Sequence, residues 1–104
     1  MNTTPADPTM KTFVIEREMP GAGALDTAAL VEISRTSNAT AATLGVPYRW
    51  VTSYAAGDKV YCIHQTDSES TVREHSRRAG FPCTTVTEVG TEFGPRTAEL
   101  LQPR

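Results

Sequence analysis

Two stretches of this chain have helical periodicity, and both stop in the same way. A glycine is followed two residues later by a proline, Gly45 with Pro47 and Gly80 with Pro82. Glycine takes up the left-handed backbone that closes a helix, and proline cannot continue one, so both helices have marked ends. β structure is thereby confined to the segments before, between and after them. The first stretch, "ALDTAALVEISRTSNATAATLG", puts Leu30, Ile33, Ser37, Ala41 and Leu44 on one face. Asp26 is its expected N-cap, Leu25 and Leu30 have the spacing of a hydrophobic staple, and Gly45 is its expected end. The second, "TDSESTVREHSRRAG", opens with Thr66 and Glu69 at the capping-box spacing, with Ser68 as the other cap candidate. Val72, Ser76 and Ala79 mark its buried stripe, and His75 sits beside that stripe. Glu69 with Arg73 and Glu74 with Arg78 are i,i+4 ion pairs on the solvated side.

The remaining segments read as strands. "KTFVIERE" (11–18) is one, and "TTVTEVGTE" (84–92) is the last. "YRWVTSYAAGDKVYCIHQT" is two β-rich runs around "AAGD", where a type I turn with Gly57 left-handed would close a hairpin. In the tail, Leu100 and Leu101 are expected to add a short edge strand or a helical turn. The order β-α-β-β-α-β specifies an α+β, ferredoxin-like sandwich: a four-stranded antiparallel sheet with both helices on one face. A chain of 104 residues supplies one such domain, expected over 11–104 behind a disordered leader at 1–10.

A net charge of −2 with both signs interspersed offers phosphates no basic stripe, so nucleic acid is not the expected ligand. No apolar run is long enough to span a bilayer, and "MNTTPADPTM" lacks the basic and apolar regions of a signal peptide. The expected compartment is the cytoplasm, with both cysteines as thiols, and "NAT" at Asn38 is read as helix surface.

Apolar residues fall on both faces of the central strands. Phe13 and Ile15 oppose Val14, Val60 and Cys62 oppose Tyr61 and Ile63, and Tyr48, Trp50 and Tyr54 oppose Val51. The helices cover only one face. The other, carrying Trp50 and tyrosines, is expected to be covered by a second copy in a homodimer.

Residues 58–83 hold both cysteines and both histidines: Cys62, His64, His75 and Cys83. Cys62 and His64 are two apart in a strand and share a face; a turn closed with the Gly57 bulge sets Trp50 opposite Cys62 and Tyr48 opposite His64, whereas a two-residue turn would flip that pairing. Thiolate and imidazole suit zinc, nickel or copper, although the paired short spacings of structural zinc sites are missing. As ordinary residues, Cys62 is a small buried hydrophobe and His75 a hydrogen-bonded histidine at the helix–sheet seam. Glu16, beside Val14 on a central strand, needs a partner such as His75, His64, Arg49 or a metal, unless the strand is ending and it reaches solvent. There is no phosphate-cradling glycine loop, nucleophile elbow or H-E-x-x-H, so a non-enzymatic role is expected, without an organic cofactor. The alternative is a small-molecule pocket on the open sheet face, lined by Trp50, Tyr48, Tyr54 and Tyr61. His64 or Glu16 would transfer protons there, as in ferredoxin-like monooxygenases and cyclases.

Together, "FVIERE" followed by "PGAG", "YRWVTSYAAGDKVYCIHQ" and "VREHSRRAGFP" make the chain resemble a bacterial, mostly actinobacterial family of short proteins of unassigned function. The best-known member of that family is a nickel-binding, nickel-responsive protein with a dimeric ferredoxin-like fold. The likeness runs from about Lys11 to Glu92 and is most specific at "SYAAGDKVYC" and "EHSRRAGFP". It implies a ferredoxin-like homodimer that binds nickel or another divalent transition metal for storage or sequestration. The matching positions able to ligate are Glu16, Cys62 and His75, with His64 less regular for the family.

Overall fold

The computed structural model describes residues 10–101. Apart from Met10, the expected leader lies outside them. The first strand, β1, is Lys11–Glu18, and it alternates: Phe13, Ile15 and Arg17 are buried while their neighbours are not. β2 is Arg49–Ala56, β3 is Lys59–Thr66 and β4 is Thr85–Glu88. They form one sheet in the order β2-β3-β1-β4 with antiparallel neighbours. Helices α1, Thr27–Ala41, and α2, Glu69–Ala79, complete the βαββαβ order, and the architecture is ferredoxin-like. Phe13 lies opposite His64 and Ile15 opposite Cys62, and on the other side Ile15 lies opposite Val86. Phe13, Ile15, Cys62 and Val72 make the buried core, with Val60, Cys83 and Val86 packed against it.

The β2–β3 hairpin corrects two expectations. Ala56 pairs with Lys59, so the turn has two residues, with Gly57 at φ +61 and Asp58 outside the left-handed region. That is the II′ pattern, whose twist matches the strands, in place of a type I turn. A bulge at Val51 then shifts the register, so Trp50 faces His64 and Ser53 faces Cys62. The bulge turns Trp50 to the helix side while Tyr54, opposite Tyr61, stays on the open face. The open face therefore lacks the tryptophan expected there. The loop before α1 closes against this turn: Gly23 N–H donates to Gly57 O at 2.8 Å, and a Cβ at Gly23 would come within 2.9 Å of Gly57 N.

α1 starts as expected, with Asp26 Oδ1 accepting from Ala29 N–H at 2.9 Å. It ends at Ala41 rather than at Gly45, because Thr43 N–H and Oγ1–H both donate to Thr40 O and tighten the last turn. Its buried positions are Ser37 and Thr40, while Leu30 remains 42% exposed. α2 is capped by Ser68, which accepts from Thr71 N–H; Thr66 instead belongs to β3 and donates to Pro47 O at 2.8 Å. Val72, His75 and Ser76 are its buried stripe, and Gly80 closes it at φ +76. β4 is shorter than 84–92, and the tail forms a 3-10 turn, Pro95–Glu99, in place of an edge strand. Among the described residues no helix is long and apolar enough to cross a membrane.

Candidate functional site

The parity of β3 sends Cys62, His64 and Thr66 toward the helices, and the three-residue step from Val72 brings His75 down to meet them. The two histidine rings lie 5.2 Å apart, edge to face, at 1% and 0% exposure. Tyr48 stacks on His75 at 4.8 Å and hydrogen-bonds through its hydroxyl to His64 Nδ1. His75 Nε2 lies 3.1 Å from Ser37 O. A carbonyl only accepts, so Nε2 carries the proton and Nδ1 is left as a bare lone pair. Among the described residues, that buried Nδ1 has no partner. Burial, then His75 and Arg17, push His64 down to about 3, and burial lowers His75 against the opposing pull of its bond to Ser37. Both rings are neutral at neutral pH, the form that donates a lone pair. Burial also raises the Tyr48 phenol, which keeps its proton.

Beside this pair lies Arg17, which is 3% exposed. Its Nε donates to Cys62 Sγ at 3.5 Å, and its Nη1 donates to Ser76 Oγ at 2.9 Å and Pro82 O at 2.7 Å. Its guanidinium sits 5.5 Å from the Phe81 ring centroid. Among the described residues, no carboxylate pairs with it and Nη2 makes no hydrogen bond. Arg17 and Cys62 also form one wall of a cavity of about 100 Å³ between the sheet and α1, otherwise lined chiefly by apolar side chains.

The structure thus gathers Cys62, His64, His75, Tyr48 and Trp50 on the helix side of the sheet. Glu16 is not among them. It is on the open face, where Lys59 Nζ meets it at 2.7 Å, because strand parity opposes it to Ile15 and Arg17. Tyr54 and Tyr61 are also on the open face, so the four aromatics expected to line one pocket are divided between two surfaces. Cys83 packs at the edge of the core, and both cysteines are free thiols. Among the described residues, no three His, Cys, Asp or Glu side chains are grouped to hold a metal. Arg17 and Phe81 were not anticipated, and Ser37 was expected only as a position on the inward face of α1. For Arg17 the signal was present: it shares strand parity with Phe13 and Ile15.

A family model described as nickel responsive protein, SCO4226-like, matches residues 13–89. Among solved structures, the crystal structure of SCO4226 from Streptomyces coelicolor A3(2) is similar, with a TM-score of 0.65 at 17% identity. The match covers 79% of this chain and 99% of that one, and at this identity it establishes a common fold. No curated protein matches the chain.

Proposed function

Because the chain belongs to the SCO4226-like, nickel-responsive family, we propose that it binds nickel or a similar divalent transition metal without catalysing a reaction, serving to sequester or store it. The ligands are His75 through Nδ1 and His64 through Nε2, with Cys62, which shares the face of β3 with His64, as the candidate thiol. The observation that carries the reading is the bare, buried Nδ1 of His75. Leaving such a group unpaired costs about 1–3 kcal/mol, which a metal ion would relieve. Its other ring nitrogen donates to a backbone carbonyl, the arrangement that usually orients a metal-bound histidine. His64 suits the same role when Nδ1 donates to Tyr48 and Nε2 is the lone pair.

The donor chemistry fits, since imidazole and thiolate are ligands that nickel accepts. The donor number falls short of a closed shell, so the remaining positions fall to water. Homodimerisation through the open face and a cytoplasmic, reducing compartment remain part of this proposal; the two free thiols are in keeping with the second.

Isothermal titration of the tag-free chain with Ni²⁺ and Zn²⁺ tests the reading. Wild type is expected to give saturable heat with Ni²⁺. His75→Ala should weaken it by on the order of tenfold or more, and Cys62→Ser by less. No heat in wild type, or unchanged heat in both variants, removes the proposal.

A further inference from the structure

Arg17 poses a problem that the metal reading does not solve. A guanidinium cannot shed its proton, so burial leaves it charged, and a buried charge without a counter-charge is strongly unfavourable. Its hydrogen bonds to Ser76, Pro82 and Cys62 satisfy Nε and Nη1, but among the described residues no carboxylate pairs with it and Nη2 makes no hydrogen bond. Among the described residues that line the cavity, this guanidinium is the charged one; Leu25, Leu30, Ile33, Trp50 and Val60 supply much of the rest. Leu30 and Ala55 both line the cavity and are exposed, which gives it a mouth to solvent.

We propose that this cavity binds a small aliphatic monocarboxylate, its head paired with Arg17 Nη2 and its chain against the apolar walls. One negative charge is what the guanidinium lacks, and the carboxylate geometry matches its planar donors. Most of the lining is apolar, and beyond Arg17 its hydroxyl donors are only those of Ser34, Ser37 and Ser53, which disfavours a fully hydrated inorganic anion. A cavity of about 150 Å³ holds benzene, so about 100 Å³ leaves room for a chain of roughly three to five carbons. Neither histidine of the pair lines the cavity, and Cys62 is the residue that borders both sites.

The experiment is titration of the metal-free, EDTA-treated full chain with butyrate, followed by amide chemical shifts and calorimetry. Butyramide and inorganic phosphate serve as the neutral and the hydrated comparators. Butyrate should saturate, with shifts concentrated at Arg17, Ile33, Trp50 and Val60, and should bind on the order of tenfold or more tightly than butyramide. Arg17→Met should abolish that preference. Ser34→Leu, which fills the cavity from α1 and leaves the charge in place, should abolish butyrate binding altogether. Should Arg17→Met fail to fold, Ser34→Leu decides, and undiminished binding in it overturns the proposal. So does the absence of a saturable butyrate response, equal binding of butyramide, or binding of phosphate in preference to both.

Discussion

Arg17, His64 and His75 are basic side chains buried within one small region, and they meet the cost of burial differently. Histidine sheds its proton; arginine cannot and keeps its charge. The retained charge on Arg17 in turn helps hold both imidazoles neutral. Unfolded, His64 titrates near 6.5, and folded it titrates at about 3. Between those values the unfolded chain holds the extra proton, so its contribution to stability is complete above about 6.5 and is lost as pH falls toward 3. The expected slope is about 1.4 kcal/mol per pH unit for one histidine, and His75 adds to it in the same direction. Urea midpoints of the metal-free protein should therefore drop steadily from pH 7 to pH 5, and His64→Gln should flatten the drop. A midpoint indifferent to pH over that span would mean that the pair is not held neutral. At this scale strand parity was the legible signal. It joined Cys62 to His64 correctly, and carried from Phe13 and Ile15 to Arg17 it also identifies the buried charge. The solvated look of "ERE" at a strand end hid that, and drew attention to Glu16, which parity sends outward to Lys59.

The two helices are not equally well fastened. α2 buries Val72, His75 and Ser76 almost completely, whereas α1 buries only Ser37 and Thr40 and leaves Leu30 half open over the cavity. Hydrophobic burial is what normally holds a helix to a sheet, so α1 is the element expected to open first. Asp26→Ala removes its cap at a cost of about 1 kcal/mol. Hydrogen exchange should then quicken across Thr27–Ala41 while Glu69–Ala79 stays protected; equal acceleration in both helices would show that they open as one unit. Both helices and all four strands were legible from periodicity and from the glycine–proline stops. The hairpin register was not, because "RWVTS" is uniformly β-forming and nothing in it marks a bulge. Trp50 still falls on the face of His64, because the shorter turn and the bulge each shift parity and the shifts offset one another.

At the scale of the whole molecule, one face of the sheet is left uncovered by the helices. That face carries Val14, Ile63 and Tyr61, half-buried, together with Val51 and Tyr54, the latter 62% exposed. Phe93, from the segment after β4, reaches the groove formed by Thr52, Tyr54 and Ile63 without closing it. With Trp50 on the other side, the surface is less greasy than the sequence suggested, and richer in tyrosine, which suits an interface with one wet edge. Two such faces packed about a twofold axis would bury these residues and leave the Glu16–Lys59 pair as part of the polar rim. Light scattering after size exclusion should give twice the 11.3 kDa chain mass. Tyr54→Glu combined with Ile63→Glu should return the single-chain mass with circular dichroism unchanged. Because the histidine pair and the Arg17 cavity lie under the helices, that monomer should still take up nickel and butyrate. A wild type that runs as one chain would remove the dimer alone. A monomeric variant that loses both ligands would instead tie the two sides of the sheet together.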